Sequence, residues 1–337
     1  ATRLEFSHDF EDDSLFDGMK SDNGDLLEDL ANLPLYSIRS RLEYEISQTS
    51  DLSCPIDCVK DFLSGKKISQ TRRNEILVSL LGSLRMSNPT LCIDVFEDLN
   101  LENEGDERIL RQGARAYEAR GDVEKSIELL KDAVQRSSVS LLERLTKLHE
   151  WIKDGYNLEM EGEVIDDFRP TPGKIMYCVH AMRPFVDSGY TIRTEYVTRE
   201  LQNKGFEVGV FSRWGFPVDR TDYKEQHVES NKFVIGGVTH IIDPDYGGNV
   251  SNKNQEYVHL AAKSLLRSAL IFRPSVMYSA SDHSIGLAAS MVADVLEIPF
   301  VYEMRGLWAY SRAANNPDFE DSAKFNLMMR LEKQCAE

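Results

Sequence analysis

The stretch from Gly173 to Arg213 constrains the fold of this chain more than any other part of the sequence. It begins with an apolar run, Ile175 to Val179, then has a polar loop containing Gly189, and then apolar residues at helical spacing. The sequence Asn203-Lys204-Gly205 is typical of a helix end, and a second apolar run, Phe206 to Phe211, follows it. Strand, helix and strand at this spacing predict a βαβ unit with a ligand at the carboxyl ends of its strands.

The sequence beyond this unit continues the same alternation. A broken strand or hairpin is predicted over Phe233 to Ile242, with Gly236-Gly237 as its turn. The later elements alternate helix and strand, over Gln255 to Phe272, Val276 to Tyr278, Ser284 to Leu296, Pro299 to Met304 and Asp318 to Glu337. This order predicts an α/β fold with a twisted, mainly parallel, Rossmann-like sheet covered by helices.

From Pro34 to about Tyr156 the pattern is helical. Short turns separate the candidate helices, which cover Gln70 to Met86, Pro89 to Leu99, Asp106 to Ala119, Asp122 to Arg136 and Val139 to Lys153. Helices of this length joined by short turns form antiparallel hairpins. The sequence therefore predicts an all-α helical-hairpin domain ahead of the sheet.

One of these hairpins, ARAYEARGD from Ala114 and VEKSIELL from Val123, resembles a tetratricopeptide repeat. A shift of about 34 residues, the period of that repeat, superposes Ser126 to Leu129 on Cys92 to Val95. Two degenerate copies would give the region a surface for a protein partner or for self-association. The alternative is a helical cap that packs on the following domain and has no partner of its own.

These patterns predict four segments: an acidic, mobile segment over residues 1–33, the tetratricopeptide-like domain over 34–156, a polar linker over 157–173 and the α/β domain over 174–337. The first segment carries many Asp and Glu residues and few basic ones, which is typical of a solvated tail. Four leucines, Leu26, Leu27, Leu30 and Leu33, leave an acidic docking helix as the alternative.

Charge and cysteine usage exclude several classes of function. A formal charge of −17 argues against nucleic acid and against anionic lipid as the main partner. No apolar run is long enough to span a bilayer, and no signal peptide is recognisable, so a cytoplasmic location is expected. The five cysteines are scattered, and the close pair Cys54 and Cys58 has no second pair to complete a zinc site. No metal is expected.

Three phrases in the second half go beyond generic α/β patterning. They are KIMYCVH from Lys174, DSGYTIRTEYVTRELQNKGFEVGVFSRWGFP from Asp187 to Pro217, and ASDHSIGLAASMVADVLEIPFVYEMRGLW from Ala280 to Trp308. In this order they resemble the N-terminal half of a glycosyltransferase family 4 enzyme of the GT-B fold. The resemblance extends over about residues 174–337 and does not reach the helical region.

The resemblance implies two Rossmann-like domains that face each other across a cleft. The N-terminal domain would hold an acceptor glycan or glycoconjugate, such as a surface polysaccharide, and the C-terminal domain a nucleotide-sugar donor. Transfer would retain the anomeric configuration and would need neither a metal nor a permanently bound cofactor. The donor-binding glutamates of the family have no counterpart before Glu337, so the chain alone is expected to be inactive.

The phrase Ser188-Gly189-Tyr190 opens the predicted helix of the βαβ unit. Gly189 allows the backbone to approach a ligand closely, and the N-H groups of the helix start favour a diphosphate. The alternative for Gly189 is an ordinary tight turn. His180 and Arg183 follow the first strand, where a histidine would bond an acceptor hydroxyl and an arginine an anion. Structural hydrogen bonds are the alternative for both.

Five other residues complete the predicted substrate site at the ends of later strands. Arg213 begins the loop that resembles the wall of the acceptor pocket, although half of that loop would serve only packing. Asp282 and His283 would bind sugar hydroxyls, or a helix cap would be the role of Asp282. Arg305 would bind carboxylate or phosphate, or would pair with Glu303 two residues earlier. Trp308 would offer its face to a sugar ring.

Two competing hypotheses remain open at this point. In the first, the chain is a non-catalytic adaptor whose helical repeats recruit a partner and whose α/β domain is a scaffold. In the second, it is another nucleotide-binding α/β enzyme, such as a sugar epimerase, which would bind a cofactor without a second domain. The sequence lacks the three-glycine fingerprint of dinucleotide binders, which disfavours a dehydrogenase.

Overall fold

The computed structural model describes residues 34–48, 57, 59–60, 63, 68–160, 165, 167–220, 231–243 and 254–337. The acidic segment 1–33 and the pair Cys54 and Cys58 lie outside these residues. Two compact units make up the chain. The helical unit comprises Ala1–Glu150 and Arg312–Phe325, and the sheet unit comprises Trp151–Ser311 and Asn326–Glu337. Residues 312–325 therefore belong to the helical unit, although they follow the sheet in sequence.

Among the residues described, six α-helices precede the sheet: α1 Leu35–Gln48, α2 Gln70–Ser87, α3 Pro89–Asp98, α4 Glu107–Arg120, α5 Val123–Leu130 and α6 Arg136–Asp154. Local capping sets most of their ends. The Ser69 side chain accepts a hydrogen bond from the Arg72 N–H at the start of α2, and Asn88 caps α3 in the same way. Gly121, with φ of 105°, ends α4 in the left-handed conformation. Pro89 and Val123, the first residues of α3 and α5, are 34 positions apart.

The prediction of one helix from Asp122 to Arg136 is wrong. Helix α5 ends at Leu130, and α6 begins at Arg136 rather than at Val139. The turn between them is stabilised from a distance, because the Glu107 carboxylate accepts hydrogen bonds from the backbone N–H groups of Val134 and Gln135, the latter at 2.9 Å.

Small residues let α3, α4 and α5 approach one another closely. A Cβ atom added at Gly113 on α4 would lie 2.6 Å from the Phe96 ring of α3, closer than real atoms pack. Ser126 on α5 is fully buried and donates its hydroxyl to the Ala114 carbonyl at 2.7 Å. The helical hairpins therefore share a continuous core.

The sheet unit contains six strands, and helices connect most of them. From β1 onward the elements are β1 Lys174–Val179, α7 Gly189–Asn203, β2 Glu207–Ser212, β3 Lys232–Ile235, β4 Val238–Ile241, α8 Gln255–Phe272, β5 Val276–Ala280, α9 His283–Val295, β6 Phe300–Glu303, α10 Trp308–Asn315 and α11 Ala323–Ala336, and parts of α10 and α11 belong to the helical unit. The strand order is β3-β4-β2-β1-β5-β6, and only β3 runs antiparallel to its neighbour. The predicted α/β class with a mainly parallel sheet is confirmed.

The C-terminal part of the chain differs from its prediction. The final helix was predicted from Asp318, but α11 begins at Ala323, after a short 3₁₀ turn over Pro317–Phe319. Ser322 fixes this start, because its side chain accepts a hydrogen bond from the Phe325 N–H at 3.1 Å. The sequence also did not predict helix α10.

One face of the sheet forms a large apolar core. Alternate residues of β1, namely Ile175, Tyr177 and Val179, pack there with Val208 and Val210 of β2. Side chains of α7 cover this face, so the helix start is held at the carboxyl end of β1. Within the described ranges, no helix combines the length and apolarity that a bilayer crossing requires.

Candidate functional site

The carboxyl ends of the parallel strands β1, β2, β5 and β6 meet at one edge of the sheet, which we call the carboxyl edge. The order of strands reverses at β1, which has β2 on one side and β5 on the other. In open α/β sheets such a reversal leaves a crevice at the strand ends, and ligands bind there. The predicted site residues follow β1, β2, β5 and β6, so all of these loops reach this edge.

Helix α7 is tied to both strands that flank the reversal. Ser188 and Thr191 form a capping box at its start. The Tyr190 hydroxyl accepts a hydrogen bond from the His180 N–H at 3.2 Å and donates to the Ala280 carbonyl at 3.2 Å. An added Cβ at Gly189 would meet no atom within 4 Å, so the helix start faces open space.

Arg305 is held inside the sheet unit rather than at its surface. One guanidinium nitrogen donates to the Tyr190 carbonyl and to Thr194 Oγ1, both at 2.8 Å, and the group lies 4.4 Å from the Tyr190 ring centroid. The other terminal nitrogen donates to the Tyr177 hydroxyl at 2.7 Å and to Glu303 at 3.1 Å. The ion pair with Glu303 that the sequence spacing offered is therefore present, and the guanidinium connects β6 with β1 and α7.

The Glu303 carboxylate stays charged in this network. Burial acts to raise its pKa, but hydrogen bonds from Arg305 and Tyr177 and the nearby positive charges lower the pKa below its usual range. Burial raises the pKa of the Tyr177 phenol, which therefore remains protonated and donates to Glu303 at 2.6 Å. This group of side chains is a structural anchor beneath the carboxyl edge.

Arg213 has a similar anchoring position after β2. Its side chain is buried and forms a two-pronged ion pair with Asp219, with one contact at 2.9 Å. Its Nε donates to the His180 carbonyl at 3.0 Å, which joins the loops after β1 and β2. Burial acts to lower the pKa of Arg213, but the bond to Asp219 outweighs it and the pKa rises.

Arg183 is more accessible than Arg213 and Arg305. Its side chain is about a third exposed and pairs with Asp187 and with Glu195, the latter at 3.1 Å. The hydrogen bond to Asp187 raises its pKa, so the group is a permanent cation. An anionic ligand at Arg183 would have to compete with two carboxylates.

The accessible part of the carboxyl edge centres on His180. Its ring contacts the Tyr190 ring edge-on at 5.3 Å between centroids and lies 6.0 Å from Trp308, which is 45% exposed. Asp282 approaches from β5, with Oδ2 at 4.0 Å from His180 Nδ1. The other oxygen of Asp282 accepts a hydrogen bond from the Ser284 N–H at 3.2 Å, which confirms the predicted helix cap of α9.

His283 turns away from this surface toward a buried acid that the sequence did not reveal. Glu332 on α11 is 2% exposed and accepts hydrogen bonds from the Tyr302 hydroxyl at 2.6 Å and from the His283 N–H at 3.2 Å. Its carboxylate lies 3.5 Å from His283 Nδ1. The position of Glu332 three residues before Cys335 places both on one face of an amphipathic helix. This spacing was the only sequence signal that Glu332 is buried.

The sequence matches no model of a known protein family, and no curated protein matches it. The interpretation of the carboxyl edge therefore depends on its own geometry. His180 has Asp282 and Trp308 as neighbours at the carboxyl edge, where Asp282 is buried and Trp308 is exposed, and open space lies beside Gly189. These residues offer an imidazole, free space at a helix start, a carboxylate and an aromatic face, which is the chemistry that recognises a polyhydroxylated ligand. Among the residues that the structure describes, no group of three or more His, Cys, Asp or Glu side chains is placed to hold a metal ion.

Proposed function

We propose that this chain carries the acceptor-binding half of a retaining glycosyltransferase of the GT-B fold, similar to glycosyltransferase family 4. The observation that carries the proposal is the reversal of the strand order at β1, with His180, Asp282 and Trp308 close together at the ends of the strands. The parallel strands β4-β2-β1-β5-β6 follow the order of a Rossmann-like sheet, which supports a ligand at this point. The sequence phrases that resemble the family supply the reaction class.

We assign a separate part of acceptor recognition to each residue of this edge. Trp308 would stack on a sugar ring, and His180 with Asp282 would bond its hydroxyl groups. The open space at Gly189 would let a donor diphosphate approach the N–H groups of α7. The nucleotide sugar is a substrate in this scheme, and a second domain would hold most of it. The helical unit would be a tetratricopeptide-like binding module, as the 34-residue spacing of α3 and α5 suggests.

One observation favours the alternative, a non-catalytic adaptor with an α/β scaffold. Arg213 and Arg305, two of the predicted ligand residues, have their guanidinium groups in internal bonds. A scaffold needs such anchors and needs no ligand. The two functions differ in one respect that can be measured, because only the glycosyltransferase requires a sugar ligand at the carboxyl edge.

Binding of glycans to the 337-residue chain tests the proposal without transfer. We expect the chain to bind a subset of oligosaccharides on a glycan array, and Trp308→Ala to weaken that binding by about tenfold, or about 1.4 kcal/mol. Tyr310→Ala is a matched control, because Tyr310 is an equally exposed aromatic residue of the same helix. Absence of any glycan binding, or equal losses in the two variants, would support the adaptor instead.

Transfer itself is tested on a polypeptide in which a donor-binding domain is joined after this chain. We expect nucleotide-sugar turnover, and a product with the anomeric configuration of the donor. The configuration can be read from proton NMR of the product. A product with inverted configuration would contradict the retaining mechanism, and turnover that is insensitive to Trp308→Ala would contradict the acceptor site.

A further inference from the structure

Arg85 on α2 and Arg111 and Arg115 on α4, an adjacent helix, form no salt bridge with any carboxylate among the described residues. We call them the arginine face. The chain carries 56 acidic and 39 basic residues, so carboxylates are plentiful. Other arginines of the same unit do have acidic partners, in the pairs Arg73–Glu104, Arg108–Asp106, Arg120–Asp122 and Arg144–Glu118. The contrast between these two groups of arginines is local and not a result of composition.

Arg85 and Arg111 donate hydrogen bonds to neutral side chains on neighbouring helices. The Nε of Arg85 donates to the side-chain oxygen of Gln112 on α4 at 3.0 Å. Arg111 donates to the hydroxyl of Ser137 at the start of α6. Arg115 lies one helical turn after Arg111 on the same side of α4, and it makes no hydrogen bond with any residue that the structure describes. Glu107 lies one turn before Arg111 on α4, and the charge of Arg111 contributes to lowering the pKa of that carboxyl, but no salt bridge joins the two side chains.

Glu118, three residues after Arg115 on α4, is already paired with other cations. The Glu118 carboxylate accepts hydrogen bonds from Arg144 at 2.8 Å and from Lys324 at 3.1 Å. Partial burial and the positive charges of Arg85, Arg111 and Arg144 lower the pKa of Arg115, against a weaker opposing effect of Glu118. A concentration of positive charge of this kind is stabilised when an anion binds to it.

We propose that the arginine face binds a carboxylate-rich polypeptide segment of a partner protein. The guanidinium fork matches the geometry of a carboxylate. The face extends over adjacent helices, whose axes pack roughly 8–10 Å apart, so it fits several carboxylates spread along a chain better than one compact phosphate. The remainder of a chain with a charge of −17 repels such a segment, so binding depends on this face.

This inference rests on the part of the proposed function that makes the helical unit a binding module, and not on glycosyl transfer. The test is fluorescence anisotropy of a labelled polyglutamate peptide titrated with the 337-residue chain, at low and at physiological salt. We expect saturable binding that weakens with salt. Arg115→Gln is expected to raise the Kd by about tenfold or more.

Arg108→Gln is the matched control, because Arg108 lies on the same helix but is paired with Asp106. It should change the Kd less than twofold, and Trp308→Ala should leave peptide binding unchanged even if it abolishes glycan binding. Circular dichroism verifies that each variant is folded, and Arg85→Gln replaces Arg115→Gln if the latter does not fold. No saturable binding, equal losses from Arg108→Gln and Arg115→Gln, or tighter binding of a phosphopeptide or an RNA of equal charge would each overturn the proposal.

Discussion

Arg213 and Arg305 of the sheet unit differ from the three arginines of the arginine face in how deeply they are buried and in whether a carboxylate pairs with them. Arg213 and Arg305 are buried, and their guanidinium groups bind carboxylates, carbonyls and hydroxyls of their own unit. Arg85, Arg111 and Arg115 are only half-buried, yet none of them has a carboxylate partner among the described residues. A buried arginine with satisfied bonds holds elements together, whereas a half-buried arginine without an anion is free to take one from outside.

The energetic reason lies in desolvation. A fully buried charge costs several kcal/mol unless a partner offsets it, so a fold that buries an arginine must also supply that partner. A partly exposed arginine keeps part of its hydration, so it needs no carboxylate partner within the fold. The two groups should therefore respond differently when they are changed.

The largest effect is expected from Arg305→Ala, which leaves the buried carboxylate of Glu303 without its main partner. The free energy of unfolding of the sheet unit should fall by about 3 kcal/mol or more. All three tryptophans belong to the sheet unit, so tryptophan fluorescence during urea unfolding measures this loss. Arg193→Ala removes an exposed arginine from the other oxygen of Glu303 and should cost less than about 1 kcal/mol. Equal costs would remove the distinction between buried and exposed partners.

A smaller effect is expected for the pH dependence of the helical unit. Burial would raise the pKa of Glu118, but Arg144 and Lys324 together lower it to about 2. Since a glutamate in the unfolded chain titrates near 4.3, the stabilising contribution is complete above about pH 4.3 and is lost as the pH falls toward 2. We expect that Glu118→Gln destabilises the unit at neutral pH by up to about 3 kcal/mol and removes this part of the acid sensitivity.

Circular dichroism during thermal unfolding at neutral and acidic pH measures the effect of Glu118→Gln. Glu124→Gln is the control, because the Glu124 side chain is 82% exposed and its contact with His149 is long. If the Glu118 variant loses as much stability on acidification as the wild-type protein, the ion pair with Arg144 is not the source of the pH dependence.

The smallest effect on stability is expected from Arg115→Gln. The change removes a partly desolvated charge that Arg85, Arg111 and Arg144 repel, so the free energy of unfolding should stay constant or rise by up to about 0.5 kcal/mol. Urea unfolding followed by circular dichroism measures this change. A loss above about 1 kcal/mol would mean that Arg115 has a structural role, and the contrast with Arg305 would fail.

Elements with local signals could be predicted from the sequence. Helix α8 has the predicted bounds because its apolar stripe ends at Phe272, and the hairpin β3–β4 has its two glycines where positive φ is needed. The end of helix α5 could not be predicted from local sequence. The turn after it is stabilised by the Glu107 carboxylate, which lies 27 residues before Val134 and 28 before Gln135. The start of α11 depends on the cap by Ser322. The acidic residues before Ser322, beginning with Asp318, led to a helix start that was predicted too early.

The candidate site could be located from the sequence, but the orientation of its side chains could not. The carboxyl ends of parallel strands converge, so the loops after β1 and β5 were expected at one edge. Arg305 turns inward because Tyr177, Tyr190 and Thr194 surround it, and these residues lie more than a hundred positions away in the chain. The His283 ring lies against Glu332 of α11, whose carboxylate is 3.5 Å from Nδ1. Such contacts depend on tertiary packing that no local pattern encodes.

The Tyr190 hydroxyl has a mechanical consequence. It bonds to the backbone of His180 and of Ala280 at the point where the ladder between β1 and β5 has ended, so it acts as one further rung supplied by a helix. Tyr190 directly follows Gly189. A displacement of the first turn of α7 would therefore strain the hydrogen bonds between the Tyr190 hydroxyl and both strand ends. Phenylalanine at this position would remove this rung, while Arg305 would still connect α7 with β6 and β1.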